Sequence, residues 1–198
     1  MSIAGEHDRL IGNLVLLGVV AALDEAQARV RVDADGLLTA WIPWAETGAG
    51  PGVRTWSMPE IGEQVVLVCP YGDPAQAVVI GRVYRDAYPA PANARTLHRT
   101  VYADGSTVEY DRQSHRLTVQ VGVGEVVVIC KTATVQASER VTLDTPTTHT
   151  TGDLSVSGKI EAGADITTPA EVKAGSIGLK AHRHIEQGDG KPTSAAQA

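Results

Sequence analysis

The first part of the chain alternates between apolar and polar positions in short segments that are separated by turn residues. These segments lie at residues 15–20, 28–32, 37–44, 64–69 and 76–84. A period of two is typical of half-buried strands, and glycine- and aspartate-rich stretches such as 33–36 and 45–57 mark turns or loops. The pattern predicts about five short strands in a small closed barrel, of which the OB-fold is one type. Another small barrel or a sandwich stays open on the pattern alone.

An apolar run at residues 10–23 needs its own interpretation, because the core of a signal peptide has a similar composition. Residues 6–9 before it carry no net positive charge, and Gly12, Asn13 and Gly18 interrupt the run. The run also continues directly into the strand alternation, so we interpret it as the entry to the barrel and expect no signal peptide. It is too short and too interrupted for a membrane span.

Beyond a proline-containing linker at residues 88–93, the period-two pattern resumes. Residues 100–110 and 117–123 alternate, and the turn-like segment 111–114 separates them. Residues 125–130 form a strongly apolar stretch that we predict as a strand, and the alternation continues after it. The second part of the chain is therefore also predicted to be β-structure.

The second part lacks the residues from which globular cores are usually built. Aromatic residues make up only 4% of the chain, and none follows Tyr110. Since aromatic side chains bury the largest areas, a segment without them cannot readily form a core by itself. From residue 147 on, single apolar residues are separated by turns in a weak, irregular repeat. These residues are Leu154, Val156, Ile160, Ile166, Val172, Ile177 and Leu179.

Two interpretations of this segment remain. A polar tract can stay disordered, because it buries too little surface to offset the entropy of ordering. The persistent alternation favours the second interpretation, in which three copies wind around a shared axis and bury small apolar residues between chains. Such a narrow core suits Val, Ile, Leu, Ala and Thr. The pattern thus predicts an obligate trimer with an elongated β-helical shaft.

The candidate site is the sequence His182-Arg183-His184 near the C-terminus. Residues two apart on a strand point to the same face, so both imidazoles can face one ion while Arg183 points outward. Three chains around an axis would supply six imidazoles. Octahedral coordination of this kind favours iron(II) or a neighbouring divalent first-row metal over tetrahedral zinc, and it leaves no open position for a substrate. The other histidines are interpreted as solvated or structural: His7, His98, His115 and His149.

Composition and motifs argue against several other classes of protein. The net charge is −6 and the sequence has no run of Lys and Arg, unlike a nucleic-acid binder. It has no nucleophile elbow and no phosphate-binding loop, and the carboxylates of Glu60, Glu63 and Asp73 lie in turns. We therefore expect no catalytic residues, no enzyme activity and no small-molecule substrate. Cys69 and Cys130 lie in separate apolar runs and are predicted to be buried free thiols.

Several of these segments resemble baseplate assembly protein V, the tail spike family of contractile-tailed phages. The resemblance rests on the Pro59-x-x-Gly62-Glu63-x-Val65 and Gly72-Asp73-Pro74 elements, on residues 78–81 and on His182-x-His184, which is similar to the apex motif of the family. The order of barrel, β-helix and apex covers nearly the whole chain.

The resemblance implies an all-β protein in four parts. These are an N-terminal segment (1–14), an OB-fold collar domain (15–90), an intertwined trimeric triple-stranded β-helix shaft (91–178) and an apex or tip (179–198). It implies a homotrimer in the virion, made in the host cytoplasm, whose collar docks on the baseplate hub. One iron ion per trimer would be held by His182 and His184 of all three chains. Sheath contraction would drive this spike mechanically through the host outer membrane, since the chain has no room for a lysozyme domain.

Three alternatives stay open on the sequence. An OB-fold module could bind nucleic acid or carbohydrate on Trp41, Trp44 and Trp56. An enzyme could use the two histidines with a third ligand such as Asp189. A spike of a type VI secretion system or a related injection device would have the same physics as a phage spike. The tail at 191–198 matches no family element and could fold back along the tip or be disordered.

Overall fold

The computed structural model describes residues 3–180, 182–190 and 193–197. It is built mostly from sheets and divides into two compact units, Met1–Cys130 and Lys131–Ala198. The first unit contains the helix α1 (Ile3–Gly12) and the strands β1 (Val15–Asp24), β2 (Arg29–Ala34), β3 (Leu37–Leu38), β4 (Gln64–Val68), β5 (Val78–Val83), β6 (Leu97–Val101), β7 (Thr107–Asp111) and β8 (Arg116–Gln120). The second unit contains β9 (Lys173–Ala174) and β10 (Ile177–Gly178). The predicted domain bounds at residues 14, 90 and 178 stay predictions.

The helix α1 precedes the barrel and was not predicted from the sequence. The Arg9 guanidinium donates to the Glu6 carboxylate one turn earlier, at 2.7 and 3.1 Å, a spacing that supports helices. The helix approaches the barrel at Gly72, where an added Cβ would lie 2.3 Å from the Leu10 carbonyl oxygen. A glycine at this position therefore allows the helix to pack here. Within the described ranges, no helix is long and apolar enough to cross a bilayer.

The first five strands form a sheet in the order β3-β2-β1-β4-β5, and all neighbouring strands are antiparallel. The segment after β3 connects the two ends of this sheet. Ile42 and Val30 of β2 exchange two backbone hydrogen bonds of 2.9 and 3.0 Å. The Val79 amide of β5 donates to the Pro43 carbonyl at 3.0 Å, and the Ala45 amide donates to the Val79 carbonyl at 2.7 Å. Because one segment bonds to strands at both ends, the sheet closes into a barrel.

The barrel encloses an aliphatic core. Its buried members are Val20, Val30, Val32, Ala34, Ile42, Val65, Leu67, Cys69, Ala77 and Val79, with Leu16, Leu23, Trp44 and Met58 packed against them. Cys69 is a buried free thiol, as predicted. Burial raises the pKa of this thiol, so it behaves as a small apolar side chain.

The prediction of one continuous strand at 37–44 is wrong. Strand β3 ends at Leu38, and Thr39 is buried. The Thr39 hydroxyl accepts a hydrogen bond from the Val32 amide at 2.9 Å and donates to the Ala40 carbonyl at 2.9 Å. The Thr39 amide still donates to the Val32 carbonyl at 2.9 Å, but its side chain replaces the main-chain acceptor, and the next bridge to β2 is at Ile42.

The two turn motifs that carried the resemblance have structural roles in the barrel. Gly62 has a φ of +89° and donates its amide to the Val20 carbonyl at 2.9 Å. The Glu63 carboxylate accepts from the Glu60 amide at 3.0 Å and pairs with Arg82 at 3.4 Å. The Pro-x-x-Gly-Glu motif therefore fixes the turn that leads into β4.

The Gly72-Asp73-Pro74 motif connects two short 3₁₀ turns, Pro70–Gly72 and Pro74–Gln76. The Asp73 carboxylate accepts from the Gln76 side-chain amide at 2.9 Å and from the Ala75 backbone amide at 3.0 Å. The same two bonds, with the Gln76 bond as the larger cause, hold the pKa of Asp73 below its usual value. The carboxylate is thus a capping group in this turn.

Strands β6, β7 and β8 form an antiparallel meander. The alternation at 100–110 shows no break in the sequence, but in the structure a turn divides these residues between β6 and β7. The Asp104 carboxylate accepts from the Ser106 amide at 2.8 Å, and Gly105 has a φ of +83°. The Asp-Gly dipeptide is a known turn signal that the alternation around it concealed.

Residues 121–172 contain no strand in the single chain. The strand predicted at 125–130 and the strands expected after it are therefore wrong for an isolated chain, which supplies no neighbour for their backbone groups. Every residue from 121 to 170 is exposed. Cys130 lies in this stretch and is exposed, so its predicted burial is also wrong for the single chain.

Candidate functional site

A short hairpin in the second unit positions the first histidine of the candidate site. Strands β9 and β10 pair around Gly175, which has a φ of +64°. The Glu171 carboxylate accepts from the Lys180 backbone amide at 3.0 Å, and the Leu179 amide donates to the Val172 carbonyl at 2.8 Å. These bonds fix the segment that leads into residues 182–184.

The structure brings His182 and His184 close together, on either side of Arg183. Their ring centroids are 5.1 Å apart, with an interplanar angle of 85°. A metal lies about 2.1 Å from a ligating ring nitrogen, so two rings that share one ion have centroids no more than about 6.5 Å apart. The observed separation therefore fits two ligands to one ion. Arg183 is exposed, in agreement with its predicted outward position.

Hydrogen bonds define the tautomer of both rings. Nδ1 of His182 lies 2.9 Å from the Leu179 carbonyl oxygen, and Nδ1 of His184 lies 2.7 Å from the Ser194 carbonyl oxygen. A carbonyl oxygen can only accept, so each Nδ1 carries the proton. In the neutral rings, both Nε2 atoms therefore keep a free lone pair. This is the arrangement in which outer hydrogen bonds orient metal-binding histidines.

The described part of the tail, residues 193–197, folds back against the histidine segment. Arg183 and Gln197 exchange two backbone bonds of 3.1 and 2.9 Å. The Ser194 amide donates to the Ile185 carbonyl at 3.1 Å, and the Ile185 amide donates to the Ser194 hydroxyl oxygen at 2.8 Å. Of the two possibilities left open by the sequence, the structure thus favours the folded-back tail for these residues.

The carbonyl acceptors of Leu179 and Ser194 were missed by sequence reasoning, since a backbone acceptor leaves no side-chain pattern. One signal was available. Gly188 and Gly190 both have positive φ, of +94° and +77°, and they lie between the histidines and the returning tail. A glycine pair of this kind marks a change of chain direction.

Within the described ranges, one chain by itself does not complete a metal site. In the described ranges, no group of three or more His, Cys, Asp or Glu side chains is placed to hold an ion. Asp189, the third ligand of the enzyme alternative, is exposed in the turn after the histidines. The four remaining histidines are exposed as well: His7, His98, His115 and His149.

The three tryptophans do not form one stacking surface in the barrel domain. Trp44 and Trp56 pack edge to face with centroids 5.3 Å apart, while the Arg31 guanidinium lies over Trp41 at 5.9 Å. The Trp44 indole N–H donates to the Glu46 carboxylate at 2.7 Å. Trp44 is therefore part of the barrel structure rather than of an open platform.

Two protein-family models match the chain, and together they define a class of protein. Residues 16–84 match the OB domain of type VI secretion system and phage-baseplate injectors, which confirms the predicted OB-fold. Residues 129–177 match the phage spike trimer model. The chain thus joins an injector-type OB domain to a phage spike segment, in that order.

Two curated relatives make the class more specific. The spike protein of Escherichia phage P2 is 30% identical over 203 residues, covering 96% of this chain and 95% of the relative. The baseplate puncturing device of Escherichia phage Mu is 28% identical over 145 residues, covering 70% of this chain and 66% of the relative. The chain belongs to the phage tail spike family, as its sequence motifs indicated, and its role is that of a structural tail spike protein.

Proposed function

We propose that three copies of this chain form a membrane-piercing spike at the centre of a phage tail baseplate. The collar is the OB barrel, the shaft is an intertwined triple-stranded β-helix, and the tip is held together by a metal ion. Sheath contraction drives the spike through the outer membrane of the host. The virion tail is its place of action, and its synthesis takes place in the host cytoplasm.

The exposure of apolar side chains after residue 120 carries this proposal. Ile129 is 93% exposed, and the apolar residues around and after it are open in the same way. They include Val126, Val127, Val128, Val135, Val141, Leu143, Leu154, Ile160 and Ile166. Burying each such side chain is worth about 1.5–3 kcal/mol. A folded protein that leaves all of them in water forgoes a large stabilisation, which other chains can supply.

Three copies offer the missing partners. The match to the spike trimer model covers residues 129–177, the same stretch in which the single chain has few strands and no buried residues. Backbone groups that lack a neighbour in one chain can form ladders between chains, and the single apolar residues then meet at a common axis. Small aliphatic residues suit the narrow core that results.

The barrel domain is suited to a different task, that of docking. It closes on itself and has its own aliphatic core, so it keeps its shape without the shaft. We propose that it attaches the trimer to the baseplate hub. The family model for this domain covers type VI secretion as well as phage injectors, but both curated relatives come from phages, which favours a phage tail.

The tip is where the histidines act. His182 and His184 of each chain present Nε2 lone pairs, and three chains together present six. This donor set fits octahedral iron(II), and another divalent first-row metal is the alternative. Bound there, the ion would cross-link the three chain ends, which otherwise have no neighbours beyond them and would fray. We propose a structural site and mechanical penetration without catalysis.

The double variant His182→Ala, His184→Ala tests the tip. We expect it to lose all bound metal and to become sensitive to proteases near its C-terminus, because nothing then ties the three ends together. The trimer and the collar should persist, since the proposed shaft core is unchanged. Metal analysis, limited proteolysis and sedimentation measure the three properties. Arg183→Ala is the matched control, since it alters the exposed side chain between the two ligands and should keep the metal.

Full metal retention in the double variant would overturn the assignment of the two ligands. Loss of the trimer in that variant would show that assembly depends on the tip rather than on the shaft.

A further inference from the structure

The folded-back tail contacts the proposed metal site at one specific atom. The carbonyl oxygen of Ser194 is the hydrogen-bond partner of Nδ1 of His184, at 2.7 Å. His182 has a different partner, the Leu179 carbonyl, which belongs to the segment that leads into the site. The two histidines are therefore oriented by different parts of the chain, one before and one after the site.

The tail is held in place by a small set of hydrogen bonds, some from the backbone and some from the Ser194 side chain. The Ser194 hydroxyl oxygen accepts from the Ile185 amide at 2.8 Å and donates to the Ala195 carbonyl at 2.9 Å. The Ser194 amide donates to the Ile185 carbonyl, and the Arg183–Gln197 pair adds two further bonds. The bonds to Ile185 and Arg183 connect the tail to the histidine segment and hold the Ser194 carbonyl beside His184.

We propose that the tail segment 193–197 is a positioning element of the metal site and that Ser194 is its central residue. This inference rests on the proposed metal-binding function. By accepting the Nδ1 proton of His184, the Ser194 carbonyl keeps Nε2 free for the metal and limits rotation of the ring. His184 without this partner can place its proton on Nε2, which removes the ligating lone pair, and it can turn away from His182.

Loss of the Ser194 carbonyl should weaken metal binding at His184. Removal of a hydrogen-bond partner behind a metal ligand typically weakens metal binding by about 10- to 100-fold. A tail that only covered the tip would have a smaller effect on affinity. The ligand His182, which has its own acceptor within the preceding segment, should be unaffected in its tautomer.

The experiment uses the full-length trimer and two changes. The first is a stop after Pro192, which removes the Ser194 carbonyl together with the tail. The second is Ser194→Ala, which removes only the hydroxyl that anchors the tail at Ile185. Thr193→Ala is the matched control, because Thr193 is exposed and takes part in none of these bonds. Sedimentation first establishes that each variant is assembled like the wild type.

Two readouts are measured on each protein. Ferrous iron affinity is determined by chelator competition without oxygen, and the tautomer of each histidine is determined from the ring-nitrogen NMR shifts of metal-free protein. We expect the truncated protein to bind iron about 10- to 100-fold more weakly. Its His184 should shift from the Nδ1–H tautomer towards Nε2–H, whereas His182 should not. Ser194→Ala should lie between the truncated protein and the wild type, and Thr193→Ala should match the wild type.

Unchanged iron affinity and an unchanged His184 tautomer in the truncated protein would overturn the positioning role and leave the proposed metal site intact. An intermediate case, in which affinity falls but the tautomer of His184 does not change, would also overturn it, because the tail would then act by covering the tip. A wild-type protein that takes up no iron would overturn the metal site itself and this inference with it.

Discussion

The barrel and the stretch at residues 121–170 contain similar apolar residue types, which are buried in the barrel and exposed in the later stretch. In the barrel, Val20, Val65 and Leu67 are buried within one chain. In the stretch from 121 to 170, Leu143, Leu154 and Ile160 occupy comparable positions in the alternation and remain exposed. The barrel closes because its strands find partners in the same chain. The later stretch continues the alternation at first and becomes an irregular repeat from residue 147 on, and it has no such partners in its own chain.

The comparison shows that hydrophobic pattern and intrachain burial are separate properties. A period of two specifies which side chains of a strand face a buried surface. It does not specify whether the same chain or another chain buries them. In the barrel, short turns join some neighbouring strands, and longer connections within the same chain bring β1 and β4 together. From residue 147 on, single apolar residues are spaced mainly by small and polar residues. The burial that the apolar residues after residue 120 require is proposed to come from two other copies.

The largest effect is expected for a charge placed at a proposed interchain position. Leu143→Asp would put three carboxylates into the shaft core, and burial of unpaired charges costs several kcal/mol each. We expect this variant to lose the trimer in sedimentation experiments. Thr142→Asp changes the adjacent position, which faces the opposite way in a strand, and should remain trimeric. Equal behaviour of the two variants would mean that the stretch has no buried face.

A substitution in the barrel core should have a smaller effect, because it should destabilise the collar without dissociating the trimer. Leu67 is fully buried, so Leu67→Ala should lower the free energy of collar unfolding by about 2–5 kcal/mol while the trimer persists. Leu17, on the paired strand β1, is exposed, and Leu17→Ala should change stability by less than about 0.5 kcal/mol. Thermal unfolding followed by tryptophan fluorescence measures the collar, because all three tryptophans lie in it. Dissociation of the trimer by Leu67→Ala would contradict the independence of the two regions.

The smallest effect concerns the loop that leads away from the closing segment of the barrel. The Trp44 indole N–H is the main cause that lowers the pKa of Glu46, followed by the Ser57 amide and the Thr55 hydroxyl. Because the pKa in the folded state lies below its unfolded value, these bonds stabilise the loop above the unfolded pKa. That contribution is lost as the pH falls through the folded pKa.

Tryptophan emission should therefore change in acid below the ordinary glutamate range, before the barrel unfolds. The variant Glu46→Gln cannot titrate and should show a flat profile over the same range. A wild-type profile that is equally flat would show that loss of the Trp44–Glu46 bond in acid does not change the stability of the loop.

Much of the barrel could be predicted from the sequence, and its closure could not. The alternation and the turn residues gave the strands β1, β2, β4 and β5 nearly in place. The closing contacts depend on Ile42–Ala45 reaching strands at both ends of the sheet, and this long-range pairing has no local pattern. The helix α1 was missed because it is short, contains Gly5 and buries no residue.

At the candidate site, as in the barrel, the local pattern could be predicted from the sequence and the long-range contacts could not. The spacing of His182 and His184 predicted two rings near one point, and the structure places their centroids 5.1 Å apart. The acceptors that orient the rings are main-chain carbonyls, at Leu179 and Ser194, and every residue type carries such a group. The role of the tail could therefore emerge only from the folded chain. The identity of the metal stays a prediction.

The central claim is that three chains share one core and one ion, and native mass spectrometry of the intact assembly with metal analysis tests it most directly. We expect a single species that contains three chains and one iron ion, and that dissociates slowly in mild detergent. A folded monomer at micromolar concentration, or one metal ion for each chain, would contradict it.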